Sequence, residues 1–467
     1  MRDERDTSAA VDVDGDVAIV GGGAAGVLVA LRLLADPSLP LRIALVDPAA
    51  EIGGGAAYAT AQATHLLNVP AGRMSAFQDD SGHFVRYLVA HGYGDAEALA
   101  TAFVPRRAYG RYLLETLRAQ PGFEALRVLR DRVVGIDAVP QGQRLRLAAG
   151  GQLDARHVVL AVGNRPRPLP ASVIRSEVSV VEAWDDGAVA AIPEEADVCI
   201  VGSGLSMVDA VLCLAERHRG RIRVVSRHGL LPRPHAVGGP AGAPPTGLDA
   251  PSLRARVRAL RAATQAATAA GEPWQWVFDR LRPRGQALWT SLPHAEQQRF
   301  LRHAVRHWDV HRHRIAPVAA ATLAALQDAG RLQVQAARLQ GVALREDGRI
   351  EVAVQPRHAD APEQFTVDRV INATGIDTTI DPRPDRLLGQ LQANGRIVAG
   401  PHGLGVTAAT DGRVVDATGR TDPALFVIGA LRMGQLWETT AIHELREQAH
   451  DIAAAIAASP QGEARPG

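Results

Sequence analysis

The 467-residue chain contains no lysine; all 51 of its basic side chains are arginine. It therefore has no ε-amine for a Schiff base and no phosphate loop built on a lysine. Cysteine is nearly as scarce. Cys199 and Cys213 form no Cys-x-x-Cys pair, so a disulfide framework, a redox dithiol and a structural zinc site are not expected. Charge of one sign is not in excess either: 51 basic and 50 acidic side chains leave a formal net charge of +1. That balance argues against broad nucleic-acid binding, which needs surplus positive charge. The longest nearly apolar run, Val17 to Leu31, is rich in Gly and Ala and stops at Arg32. It falls short of the roughly 20 apolar residues that a bilayer span requires. The segment Met1-Arg2-Asp3-Glu4-Arg5-Asp6 is too acidic and polar for a secretory signal. The expectation is a soluble, cytoplasmic protein with neither membrane nor nucleic-acid partner, and nothing read here sets its oligomeric state. With 46% apolar residues the chain can bury a substantial core in two or three domains.

What is present is one pattern written twice: strand, glycine-rich turn, helix, strand. The first copy runs through Val17-Ala18-Ile19-Val20, turns at Gly21 to Gly26, continues as a helix to Ala35, and has a second strand, Leu41 to Val46, tipped by Asp47. The second copy begins at Asp197 to Val201, turns at Gly202-Ser203-Gly204, and reaches a strand at Ile222 to Val225 tipped by Ser226-Arg227-His228. Short continuous apolar strands alternating with helices predict parallel sheets covered on both faces. Further strands are expected at His157 to Val162, Val367 to Ala373 and Leu425 to Ile428, each running into a glycine-containing loop. Residues 252 to about 325 read as an Arg-rich helical insertion holding four of the six tryptophans.

Gly21, Gly23 and Gly26 fit the dinucleotide fingerprint after a strand and at the opening of a helix. There the glycines allow a tight turn, close backbone approach to a pyrophosphate, and helix–strand packing. Asp47 follows Gly26 by 21 positions, where a carboxylate accepts from ribose hydroxyls. The second turn keeps Gly202 and Gly204 but has Met207 in place of the third glycine. Its tip carries Ser226 and Arg227, which suit a ribose 2′-phosphate that Asp would repel. The readings are a resident FAD at the first site and an exchanging NADPH at the second, with NADH open as an alternative.

Four stretches, Gly53 to Met74, Phe103 to Leu113, Val201 to His235 and Leu425 to Arg446, resemble a bacterial FAD- and NAD(P)-binding monooxygenase group. That group contains FAD-dependent urate hydroxylase and aspartate N-hydroxylases. The resemblance implies an α/β fold of two dinucleotide-binding, Rossmann-like domains. The FAD domain would comprise residues 1–165 and 366–467, with an NAD(P)H domain at 196–365 inserted in it and carrying the helices of about 252–325. It also implies that Gly53 to Tyr58 and His65 to Val69, Asn68 among them, wrap the flavin, that Gly429 passes its pyrophosphate and ribityl chain, and that Gly434 to Thr440 brings a helix N-terminus toward the ring. Ala430 stands where many relatives have Asp.

The implied reaction uses NADPH, molecular oxygen and a flavin C4a-hydroperoxide to hydroxylate a small anionic substrate, with urate converted to 5-hydroxyisourate as first choice. The alternatives are N-hydroxylation of an amino acid such as aspartate or ornithine, a non-catalytic flavin-binding redox sensor, or an electron-transfer reductase. Arg73, Arg106, Arg107 and Arg432 are candidates for the substrate anion, or else contact flavin phosphates or surface carboxylates. Glu438 is a base or a helix-capping acid, and Tyr58 a packing residue or proton donor. His303, His307 and His311 recur every four residues in a basic segment; an anion-facing or solvated helix is expected there in preference to a metal site.

Overall fold

A computed structural model describes residues 15–36, 41–239, 242–383 and 385–459. Met1 to Asp6 and residues 460–467 lie outside the described residues. Among the described residues the strands form an eight-stranded sheet, a seven-stranded sheet and a two-stranded ribbon between them.

In the first sheet Gly15–Val20 lies parallel to Ile43–Val46 on one side and Gln152–Leu160 on the other. Its Val17, Ala18 and Ile19 are fully buried, as a continuous apolar strand requires when both faces are covered. Thr421–Val427, from the far end of the sequence, adds parallel to Gln152–Leu160, so this sheet draws on both ends of the chain. Helices Ala24–Leu34, Arg106–Arg118 and Ile442–Ala457 pack on one face of it.

The second sheet has a parallel centre of Leu332–Leu344, Ile222–Ser226, Val198–Val201, Arg369–Asn372 and Val180–Glu182. Ile350–Pro356 and Glu363–Val367 extend it as an antiparallel meander. Two expected boundaries shift. Arg369–Asn372 pairs with Val198–Val201, so the chain leaves this sheet after Asn372 rather than at 366; Val180–Glu182 enters it before 196. The apolar run at Val370 and Ile371 satisfies any buried parallel strand, and its composition does not say which sheet takes it.

The chain crosses between the sheets twice, and the crossings run side by side as Arg165–Pro166 against Ile376–Asp377. Arg165 Nη2 lies 2.8 Å from Asp377 Oδ2 across this ribbon. The insertion is a run of short helices from Leu253–Ala269 to Pro317–Asp328. Pro273 and Pro293 precede two of them and Pro317 opens the last, positions where a missing N–H costs nothing. No helix of the described residues is long and apolar enough to cross a membrane.

Candidate functional site: two glycine turns of opposite polarity

At the first turn Gly21 has φ +111°, and a Cβ there would collide with the carbonyl of Ala161; a Cβ on Gly26 would collide with the carbonyl of Gly21. A Cβ on Gly55 would sit 3.0 Å from Gly23 Cα, so two loops without side chains leave the N-terminus of Ala24–Leu34 bare for a phosphate. Asp47 is fixed at the edge of this cradle, its carboxylate accepting from the N–H of Gly22 at 2.5 Å and of Ala49 at 2.7 Å. On the returning strand Gly429 (φ +76°) donates its N–H to Gln448 Oε1 at 3.0 Å. Nearby in sequence the Thr439 hydroxyl is buried without a partner. Bare backbone, a ribose-height carboxylate and an orphaned hydroxyl fit an extended dinucleotide.

Gly202 repeats the geometry of Gly21: φ is +112°, and a Cβ would collide with the carbonyl of Ala373, at the end of the neighbouring strand. Gly204 faces open space. Ser226 braces its own loop, accepting from Gly229 N–H at 3.0 Å and lying 2.8 Å from Ser203 Oγ, which donates to the Leu230 carbonyl at 2.7 Å. Arg227 is exposed and has no carboxylate within ion-pair distance among the described residues. Desolvation and then the charges of Arg306, Arg167 and Arg338 pull its guanidinium below the ordinary range. Burial and Arg306 do the same to Arg167, with Asp377 opposing. Arg306 has a carboxylate partner, Asp309, at 3.1 Å. Arg167, Arg306 and Arg338 thus lie close enough to Arg227 to disfavour its charge, and they were not singled out from the sequence. They come from a crossing loop, the insertion and a distant strand, and become neighbours only in the fold.

The other candidates divide. Arg106 forms a two-pronged pair with Asp209 on the helix of the second turn (2.7 and 3.1 Å) and donates to the Leu66 carbonyl at 2.9 Å. His65 points the same way, 2.9 Å from Thr60 Oγ1 and 3.1 Å from the Asp209 carbonyl. Both side chains therefore tie the two sheets together, whereas the resemblance placed His65 against the flavin. Arg432 is buried and donates to the carbonyls of Ala409 and Thr410 at 3.1 and 2.9 Å, which occupies it structurally. Arg107 reaches the Ala61 carbonyl at 3.2 Å. Arg73 stays exposed, close enough to Arg282, Arg314 and His235 to disfavour their protonation. The Asn68 carbonyl accepts from His235 Nε2 at 2.9 Å, and burial pushes His235 down to about 4. Tyr58 packs 4.8 Å from Tyr109; burial, opposed by Arg106, pushes its hydroxyl up to about 12, so it stays protonated at neutral pH.

Glu438 caps no helix. It follows the short helix Met433–Leu436, and the next helix is capped by Ala441 without a side-chain bond. Its carboxylate instead binds the insertion, accepting from Arg312 Nη2 at 2.7 Å and Trp308 Nε1 at 3.3 Å. Burial opposes its ionisation, but Arg312, His313 and Arg282 overcome that and hold the carboxyl below the usual range, the reverse of what a general base needs. Glu438→Gln is expected to destabilise the protein by about 3–5 kcal/mol, since it strands a buried guanidinium. With a depressed folded-state pKa, the stabilisation is present above the ordinary value of 4.5 and is lost as the pH falls through the lower folded value. Denaturant melts of both proteins should therefore differ most near neutrality and converge in acid; a constant gap across pH would contradict the ionised pair.

The insertion's aromatic residues anchor to the same loop. Trp289 stacks on Trp437 at 5.1 Å and donates Nε1–H to the Gly434 carbonyl at 3.2 Å. The histidine row is split, because the helix His294–His303 ends before Ala304 and a new one, Val305–Arg312, follows. Among the described residues no group of three or more His, Cys, Asp or Glu could hold a metal ion.

Residues 18–165 match a family model described as FAD-NAD(P)-binding. The matched segment holds the glycine cradle, Asp47, Tyr58 and Arg106. A comparison with curated protein sequences gives no match. Among solved structures, the chain is similar to L-lysine 6-monooxygenase from Pseudomonas syringae (18% identity, TM-score 0.65, 95% of this chain and 99% of that one). It is similar to an ornithine N-hydroxylase from Kutzneria sp. 744 in complex with reduced FAD, NADP+ and L-ornithine (18%, 0.63, 95% and 99%). It is also similar to the FAD-bound cadaverine monooxygenase of desferrioxamine biosynthesis from Erwinia amylovora (14%, 0.67, 95% of each). At these identities the likeness establishes the fold: two Rossmann-like units, one set into the other.

Proposed function

We propose that the chain is an FAD-dependent, NADPH-driven monooxygenase that hydroxylates a primary amine at nitrogen. The observation that carries this reading is the contrast between the two turns, with Asp47 at the tip beside the first and Arg227, gathered with Arg167, Arg306 and Arg338, beside the second. One chain thus offers a cradle for a nucleotide with free ribose hydroxyls and another for a nucleotide bearing an extra phosphate. The similar structures named above are an ornithine N-hydroxylase, a lysine monooxygenase and a cadaverine monooxygenase, and none of the three is named for urate. The alternative of N-hydroxylation, stated above for an amino acid such as aspartate or ornithine, therefore takes precedence over urate.

When bound, FAD would accept hydride from NADPH and activate oxygen. The chain's own part is to hold phosphates at the uncapped N-terminus of Ala24–Leu34, a ribose on Asp47 and a 2′-phosphate on the arginine group. Glu438, locked to Arg312, fixes the loop after Gly434. Cys199 and Cys213 are buried and free, and burial pushes their thiols up to about 12 and about 11, so neither serves as a thiolate relay. In the balanced reaction one oxygen atom enters an N–H bond to give a hydroxylamine and the other leaves as water. NADPH supplies two electrons and solvent one proton.

The test uses flavin-loaded protein with NADPH, oxygen, and ornithine, lysine, cadaverine or urate. An amine-dependent rise in NADPH oxidation with a hydroxylamine product is expected. Consumption stimulated by urate alone, yielding 5-hydroxyisourate, would restore the first choice and reject this one.

A further inference from the structure

The helical insertion and Trp437 line a partly open cavity of about 1000 Å³, at the upper end of the range for small-molecule sites. Its walls are aromatic and aliphatic: Trp274, Phe278, Trp308 and Trp437 on one side, Val257 and Leu260 of the helix Leu253–Ala269 on another. No Asp or Glu lines it. Arg256, one of its two arginines, is already committed to the carbonyls of Ala250 and Leu288, both at 2.6 Å, and to Ser291 Oγ at 3.2 Å. His303, His307 and His311 supply much of the remaining polarity. An ammonium or a zwitterionic amino acid placed wholly inside would lose its hydration without gaining a counter-charge.

A second observation ties this cavity to the proposed reaction centre. Trp437, which lines it, has φ +63° and ψ −71°, a region a bulky residue occupies only when its surroundings impose it. In this conformation its ring stacks on Trp289 and meets Phe300 edge-on at 5.3 Å. Trp437 lies on the loop that returns from Gly429, and its neighbour Glu438 is the carboxylate held by Arg312. The apolar chamber therefore ends at the segment expected to face the flavin, and a carboxylate stands immediately beyond its wall.

We infer that the cavity receives the apolar body of the substrate, so that the molecule hydroxylated is a long-chain alkyl or arylalkyl amine rather than a free amino acid. The reacting nitrogen in this statement rests on the function proposed above, whereas the preference for an apolar body rests on the cavity alone.

Calorimetric titration of the flavin-loaded protein with butylamine, hexylamine and octylamine separates the two. Burial of each added methylene in an apolar site is expected to tighten binding about fourfold, the equivalent of about 0.8 kcal/mol. Leu260→Trp, which narrows the chamber from the helix Leu253–Ala269, should flatten that gradient; flavin content and melting temperature report whether the variant has folded. If it has not, the wild-type series alone decides. Affinity that is flat with chain length, octylamine binding unchanged in folded Leu260→Trp, or ornithine binding more tightly than octylamine would each overturn the inference. Ornithine turnover in the last case would leave the N-hydroxylase reading intact. A chain-length gradient without hydroxylamine product would uphold the cavity assignment and count against that reading.

Discussion

Alanine at position 26 is expected to give protein that purifies without flavin colour, with FAD affinity reduced at least about 100-fold. The added methyl group meets the Gly21 carbonyl and then the Ile19 side chain at 3.2 Å, so the helix must lift away from the turn whose amides it presents. Overpacking of this kind costs about 1–3 kcal/mol in a core, and more where the obstacle is backbone. Absorbance of the purified variant and titration with added FAD measure it; a yellow variant of normal affinity would show that the flavin binds elsewhere. Gly204→Ala is the informative contrast. Nothing in the protein lies near its Cβ, so fold and colour should persist while the KM for NADPH rises, because the crowding comes from the nucleotide itself.

Arg227→Ala is expected to weaken NADPH about 10- to 100-fold and leave NADH nearly unchanged. A charge-assisted contact to a phosphate is worth about 1.5–3 kcal/mol, and each 1.36 kcal/mol is tenfold. Wild-type KM for NADPH should climb more steeply with salt than that of the variant, since one cation of the group is gone. Stopped-flow reduction of the flavin with each nucleotide gives both numbers. Equal losses for NADPH and NADH would mean that Arg227 serves the fold rather than the 2′-phosphate.

The two turns were legible in the sequence because their demands are local. Gly21, Gly26 and Gly202 are required by φ or by a carbonyl a few ångströms away, and such constraints leave glycine at fixed spacing. Asp47 and Arg227 were legible for the same reason, each standing at the tip of the strand after its turn. The rest depends on partners distant in sequence. Glu438 reads as a capping acid until the insertion brings Arg312 to it across 126 positions. Arg106 and Arg432 read as anion binders, flavin-phosphate contacts or ion-pair partners alike, and only the fold shows Asp209 pairing with the first and the carbonyls of Ala409 and Thr410 occupying the second. The strand Arg369–Asn372 was recognisable, but its sheet was not, since pairing with Val198–Val201 is decided by topology. The large chamber left no periodic trace, because its walls come from several short helices that each contribute a few residues.

The paired crossings at Arg165–Pro166 and Ile376–Asp377 restrict how the two nucleotide-binding halves can move. Sliding one half along the other would break the bonds from Arg167 N–H to the Gly375 carbonyl and from the Asn372 amide to the Arg167 carbonyl, at 2.9 and 2.8 Å. Swinging about the ribbon's axis keeps them. Any relative motion of the two halves must also part or carry along the two-pronged pair of Arg106 and Asp209, at 2.7 and 3.1 Å.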